Sequence, residues 1–162
     1  SQNNLNCIMK NIIFLFITLF TLQGFAQEVS KEYDKIGKFY HGVAIVWKNG
    51  LCGVIKSSGK EIVKPEYEKI RPFGSDGISY TTKDGKIGLL SIEGKVITEN
   101  IYESIAPFRN GRALTKMNGL TGMINNKGKV LIPNEYQKIT VGRYGDIRAV
   151  KDGREVMLDV KD

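Results

Sequence analysis

Asn49-Gly50-Leu51-Cys52-Gly53, Asp84-Gly85-Lys86-Ile87-Gly88 and Asn118-Gly119-Leu120-Thr121-Gly122 are one pattern written three times. Each begins with Asn-Gly or Asp-Gly, the pair favoured in two-residue β-hairpin turns because both central residues need positive φ. A fourth pair, Asp152-Gly153, stands in register with them. Outward from these turns the spacing persists. Tyr33, Tyr67, Tyr102 and Tyr136 are 34, 35 and 34 residues apart, and each is followed three residues later by Ile36, Ile70, Ile105 or Ile139. Phe39, Phe73 and Phe108 come three residues after that, and the fourth unit has no such phenylalanine. A fixed period of this length is the mark of a repeat architecture.

A period near 34 also suits helix pairs, so the glycines must decide. Helices need about a dozen residues without them. Here glycine recurs up to four times per unit, at Gly42, Gly50, Gly53 and Gly59 and their counterparts. The second turn is carried by Ser58-Gly59, Glu93-Gly94 and Lys127-Gly128. Between the turns run short β-prone segments: Val43 to Lys48, Cys52 to Lys56 and Glu61 to Val63. Each unit therefore reads as strand, tight turn, strand, turn, short strand. The one-residue insertion at Gly74-Ser75-Asp76 marks a loop, since loops tolerate insertions. Tyr, Ile and Phe at intervals of three are expected to plug the gap between units. Ala44, Ser79 and Ala113 keep one strand position small for a neighbouring sheet, with Ile45, Tyr80 and Leu114 on the opposite face. The fold class is all-β: tandem antiparallel meanders stacked into an open curved array, with a closed propeller-like ring as the alternative.

The chain partitions accordingly. Residues 1–8 are an upstream extension, 9–26 a signal peptide and 27–32 a linker. Repeats follow at 33–66, 67–101 and 102–135, with a partial repeat or cap at 136–162. The signal peptide reading rests on Lys10, an apolar run from Ile12 to Leu22, and small residues at Gly24 and Ala26 before Gln27. That run is far shorter than the roughly 20 residues of a spanning helix, so no stable membrane span is expected after cleavage. Export to the periplasm or beyond follows. Cys52 is then the only cysteine of the mature chain, which excludes an internal disulfide.

The spacing resembles the WG-repeat family of bacterial β-repeat proteins. Asn49-Gly50-Leu51-Cys52-Gly53-Val54-Ile55, then Gly59-Lys60, then Pro65-Glu66-Tyr67 follow its outline. The tryptophan that names the family is replaced, by Cys52, Ile87, Thr121 and Val156, and the glycine after it becomes Met157 in the fourth unit. The resemblance implies an all-β repeat array, often exported, with no agreed activity and no catalytic residues to carry over.

Individual residues give little chemistry. His41 is the only histidine and falls in a turn, so neither a nucleophile–histidine pair nor a zinc site is expected. Carboxylates or an amide follow the repeat tyrosine at Asp34, Glu68, Glu103 and Gln137. Their periodicity argues for accepting turn hydrogen bonds rather than for glycoside hydrolysis, which needs convergent acids in a cleft. Trp47 is the best contact candidate: its counterparts are Thr82, Lys116 and Val150, so the scaffold does not require it, and tryptophan is enriched in binding hot spots. Tyr40, Tyr80 and Tyr144 rank below it. The net charge of +7 is dispersed among acids, which together with export argues against nucleic acid. The expected function is a non-enzymatic, cofactor-free interaction module for a protein or envelope polymer. The alternatives are a carbohydrate- or peptidoglycan-binding module, a cell-wall or glycan hydrolase, and a purely structural stub.

Overall fold

A computed structural model describes residues 32–161. The expected signal peptide, upstream extension and most of the expected linker lie outside the described residues. The protein is all-β, with four antiparallel sheets in chain order. The first holds β1 (Lys35–Ile36), β2 (Val43–Lys48), β3 (Leu51–Lys56) and β4 (Glu61–Tyr67). The second holds β5 (Lys69–Ile70), β6 (Ile78–Lys83), β7 (Lys86–Ser91) and β8 (Val96–Tyr102). The third holds β9 (Ser104–Ile105), β10 (Arg112–Met117), β11 (Leu120–Asn125) and β12 (Val130–Tyr136). The fourth has only β13 (Lys138–Val141), β14 (Ile147–Lys151) and β15 (Arg154–Leu158). Neighbours in each sheet are neighbours in sequence. Two compact units divide after Pro65, the second carrying the last three sheets.

The turns form as the dipeptides dictate. Asn49, Asp84, Asn118 and Asp152 have φ of 51–52°, and the glycine after each is also positive. The side chains following the repeat tyrosines lock these turns. Asp34 accepts from the Asn49 N–H at 2.7 Å, and Gln137 from the Gly153 N–H at 3.0 Å. Glu68 and Glu103 accept from the Gly85 and Gly119 N–H groups at 3.3 Å. The insertion at Gly74-Ser75-Asp76 lies in the loop between β5 and β6, where Asp76 caps the Ile78 N–H at 3.1 Å.

Each complete sheet has one more strand than the sequence suggested, a two-residue edge before the first hairpin. The last strand is also longer. β4 runs past Val63 through Pro65 to Tyr67, because an edge strand tolerates a proline that a central one could not. Each repeat tyrosine from Tyr67 onward therefore ends one sheet rather than opening the next.

β7 and β11 bury consecutive residues, which places apolar groups on both faces. In the second unit the faces can be assigned. Leu89 of the second sheet packs with Tyr102, Ile105, Ala113 and Ile124. Met123 and Ile132 of the third pack with Ile139, Ile147 and Ala149 of the fourth. Within this unit successive sheets thus stack, with the small Ala113 on the face toward the second sheet and Leu114 on the face toward the fourth. Leu89, Met123 and Ile124 are 1 % exposed, and each such side chain contributes about 1.5–3 kcal/mol relative to leaving it in water. The plug expectation is met unevenly. Phe73 is buried and Phe108 packs on the joint between the second and third sheets. Phe39 is 50 % exposed; among the described residues no sheet precedes the first one.

Strand register corrects the alignment of the fourth repeat. Val46 pairs with Gly53, Thr81 with Gly88, Thr115 with Gly122 and Ala149 with Val156. Val156 therefore occupies the glycine position, and Glu155 occupies the one that Cys52, Ile87 and Thr121 hold. The three glycines meet backbone. A Cβ on Gly53 would lie 2.5 Å from the Val63 carbonyl oxygen, on Gly88 2.8 Å from that of Thr98, and on Gly122 2.7 Å from that of Ile132. In each case the obstacle is the last strand of the sheet, and the fourth sheet lacks that strand.

Candidate binding site

The β7–β8 and β11–β12 ladders break register beside Gly88 and Gly122, and the space is used by an asparagine. Asn100 Nδ2 donates to the Thr81 carbonyl oxygen at 3.0 Å, to Thr81 Oγ1 at 3.1 Å and to the Lys86 carbonyl oxygen at 3.1 Å. Asn134 repeats this with Thr115 and Leu120. The first sheet places Val46 and Pro65 at the same positions, an apolar pair in place of a polar one. These asparagines escaped the sequence reading. They are structural, since their donors are spent inside the sheet.

Among the described residues lies a concavity that no repeat position foretold. A cleft of about 830 Å³ opens between the third and fourth sheets, within the second unit. Its aliphatic side is formed by the half-buried Leu114 over Met123, Ile139 and Ile147, which are at most 5 % exposed. Its rim comes from two loops some 30 residues apart in sequence. The β9–β10 loop supplies Pro107, Arg109 and Asn110, with Arg112 at the start of β10. The β13–β14 loop supplies Gly142, Arg143 and Gly145. Three of the lining residues are arginine and none is acidic.

The cleft lies where the repeat pattern changes. Counting three from the repeat isoleucine gives Phe73 after Ile70 and Phe108 after Ile105, but Gly142 after Ile139. Phe108 packs on the core cluster between the second and third sheets. At the next joint the corresponding residue is Gly142, which lines the cleft. The loop around it is ordered by its own backbone, with the Gly142 N–H donating to the Asp146 carbonyl oxygen at 2.7 Å and the Gly145 N–H to the Gly142 carbonyl oxygen at 3.1 Å. The Asp146 carboxylate fills the space a side chain at Gly142 would take. The loss of the phenylalanine was visible in the sequence; the cleft was not.

The sequence candidates scatter. Tyr144 stands between two cleft residues in the β13–β14 loop and is 93 % exposed. Tyr80 is half-buried, packed against the cluster between the second and third sheets, with its hydroxyl donating to the Ala106 carbonyl oxygen at 3.0 Å. Burial raises its pKa above the ordinary tyrosine value. Its hydroxyl ties two repeats together. Trp47 is half-buried on β2, inside the sheet rather than at its edge, with the Lys35 ammonium 4.8 Å over its ring. Tyr40 is 45 % exposed, edge-on to His41 in a turn where His41 has φ of 46°. Cys52 is buried on β3 opposite Trp47. By strand rise that is roughly 20 Å along β2 from His41, so the two do not form a pair. Among the described residues no group of three or more His, Cys, Asp or Glu could hold a metal ion, and no helix is long and apolar enough to cross a membrane.

Compared with known protein families, the chain matches the family described as WG containing repeat four times, over residues 27–52, 53–86, 87–120 and 122–154. No curated protein matches it.

Proposed function

This chain belongs to the WG containing repeat family, and from that premise we propose that it is a binding module, not an enzyme, exported by its signal peptide and acting on a protein or envelope polymer. The observation that carries this reading is the cleft where the fourth repeat gives up its phenylalanine. Binding sites are concave, mostly apolar and marked by a few placed polar groups. The cleft's charged lining groups are guanidiniums, which bind anions but stay protonated at working pH and so serve poorly as acid–base catalysts. That supports binding over hydrolysis.

The runner-up is a carbohydrate-binding module. Tyr144, almost fully exposed beside the cleft, favours it, because an aromatic ring can stack on a sugar face. The test is a screen of the purified chain from Gln27 against peptidoglycan, a glycan panel and envelope-protein fractions, run beside an Arg109→Ala/Arg143→Ala variant. Saturable binding that the variant loses supports a module using this cleft. Binding that the variant retains in full, or turnover of any polymer in the panel, overturns it. Export is tested separately: the mature protein recovered outside the cytoplasm should begin at Gln27.

A further inference from the structure

We propose that the loop end of the second unit is a docking surface for anionic phospholipid, which the protein touches without spanning it. The proposal goes beyond the cleft reading and does not depend on it.

Topology makes the first argument. In each meander the Asn-Gly and Asp-Gly turns lie at one end, while the next turn and the loop before the first long strand lie at the other. Backbone bonds tie these loop-end segments together. The Ile92 N–H donates to the Gly77 carbonyl oxygen at 2.8 Å, and the Asn126 N–H to that of Gly111 at 3.0 Å. Between sheets, a Cβ on Gly128 would collide with the Ile97 carbonyl oxygen, so the turn over 125–129 sits against the start of β8. The loops of the third and fourth sheets meet at the cleft rim. Segments 71–77, 91–95, 106–112, 125–129 and 142–148 therefore share one end of the unit.

Charge makes the second. Those segments hold eight lysines and arginines against three acids. The hairpin end, over 66–69, 83–86, 101–104, 116–120, 135–138 and 151–154, holds seven against six. There Lys83 pairs with Glu66 and Lys151 with Glu135. At the loop end Arg148 pairs with Asp146, and Arg112 has a partner too. Arg109, Lys127, Lys129 and Arg143, however, are exposed and enter no ion pair among the described residues. Charges interleaved in the sequence are thus sorted by the fold toward one end. Clusters of roughly four to eight cations are what anionic headgroups attract.

Lipid is favoured over a soluble polyanion by what stands among the cations. Tyr144, beside Arg143, is the most exposed large hydrophobic side chain of the described residues. Val96, Val130 and Val141 are exposed at the same end, at the tips of β8, β12 and β13. One such residue alone would carry no meaning. Several of them set among cations suit a membrane interface, where tyrosine rings sit at headgroup level and apolar groups reach the acyl boundary.

The experiment mixes the chain from Gln27 with vesicles of phosphatidylglycerol and phosphatidylcholine, or of phosphatidylcholine alone, and reads co-sedimentation. Dextran sulfate serves as a soluble polyanion. Binding is expected to the anionic vesicles and not to the neutral ones, and it should fall with added salt. Lys127→Glu/Lys129→Glu should weaken it at least about 10-fold. Lys69→Glu/Lys138→Glu makes the same charge change at the hairpin end and should weaken it less than about 3-fold. Tyr144→Ala leaves the charge untouched and should weaken it about 3- to 10-fold. All five side chains are exposed, so the variants should fold, as their melting curves will show. Absence of binding to the anionic vesicles overturns the proposal. So does equal weakening by the two charge reversals, which assigns the attraction to net charge. Vesicle binding indifferent to Tyr144→Ala, or dextran sulfate taken up in preference to vesicles, overturns the choice of lipid. None of these variants alters Arg109 or Arg143, so failure here and failure of the polymer screen are told apart.

Discussion

The joint between the second and third sheets and the joint between the third and fourth are built from the same repeat and bury equally apolar cores, but the first carries a phenylalanine that the second lacks. At the first, Phe108 covers the cluster and the last strand, β12, lies over Gly122. At the second, Gly142 replaces the ring, and the fourth sheet stops at β15 with Val156 in the glycine position. The comparison separates what the fold demands from what it merely permits. Glycine is demanded only where a strand crosses it. Phenylalanine is not demanded at every joint, since the core between the third and fourth sheets is buried without it.

The largest expected effect breaks the comparison at its strictest point. Gly122→Val places a Cβ within 2.7 Å of the Ile132 carbonyl oxygen and 2.8 Å of Asn134 Cγ. Backbone cannot yield as a side-chain tip can, so a loss of about 3 kcal/mol is expected. It should appear as a lowered denaturation midpoint, with Gly88→Val behaving alike. A loss below about 1 kcal/mol in both would mean that β8 and β12 are free to lift away from the glycines.

Next in size is the asparagine that fills the register break. Asn134→Ala leaves the Thr115 and Leu120 carbonyl oxygens without their donor, at a cost of about 2 kcal/mol. The first sheet shows the alternative solution, Val46 with Pro65. Thr115→Val combined with Asn134→Pro should therefore be less destabilising than Asn134→Ala alone, a non-additivity expected of residues in direct contact. A double variant as unstable as the sum of its parts would show that the two solutions are not interchangeable.

A smaller effect belongs to the start of the described chain. Tyr33 is 6 % exposed, and its hydroxyl donates to Glu61 Oε2 at 2.8 Å. Burial first, then the hydrogen bond to Glu61, hold its pKa well above the ordinary value near 10. The folded state thus keeps a proton that the unfolded state releases above pH 10. The stabilisation is complete below about pH 10 and is lost as pH rises beyond it. Thermal melts from pH 8 to 11 should fall at the alkaline end, and Tyr33→Phe should flatten that fall. Tyr67 and Tyr80, both raised chiefly by burial, add to the same trend. An identical alkaline slope in Tyr33→Phe would assign the whole effect to the other tyrosines.

Much of this was legible in the residues, for a physical reason. Turns are local: Asn-Gly and Asp-Gly declare positive φ without reference to anything distant, and the acceptors at Asp34, Glu68, Glu103 and Gln137 recur at a fixed offset from them. The last strands were read short because Val130-Leu131-Ile132-Pro133-Asn134-Glu135-Tyr136 mixes strand and turn formers, and only its pairing partner settles the matter. Asn100 and Asn134 look like loop residues until the break in register gives them carbonyls to bond. The cleft was hidden for a different cause. Its lining comes from two loops distant in sequence, which only the stacking of the third and fourth sheets brings together.

The smallest expected effect sharpens the comparison most. If glycine is required only beneath a crossing strand, then Val156→Gly should gain nothing from restoring the repeat pattern. Val156 is 41 % exposed, so little buried surface is lost with its side chain, and the added backbone freedom costs roughly 0.5–1 kcal/mol. The expected outcome is a slight loss, under about 1.5 kcal/mol in total, beside the loss of about 3 kcal/mol predicted for the reverse change at Gly122. The asymmetry is the informative quantity, because both changes exchange the same two residues at the same repeat position. Were Val156→Gly to stabilise the protein instead, glycine would be favoured by the strand itself, and the close approach of β12 would no longer explain why the first three repeats keep it.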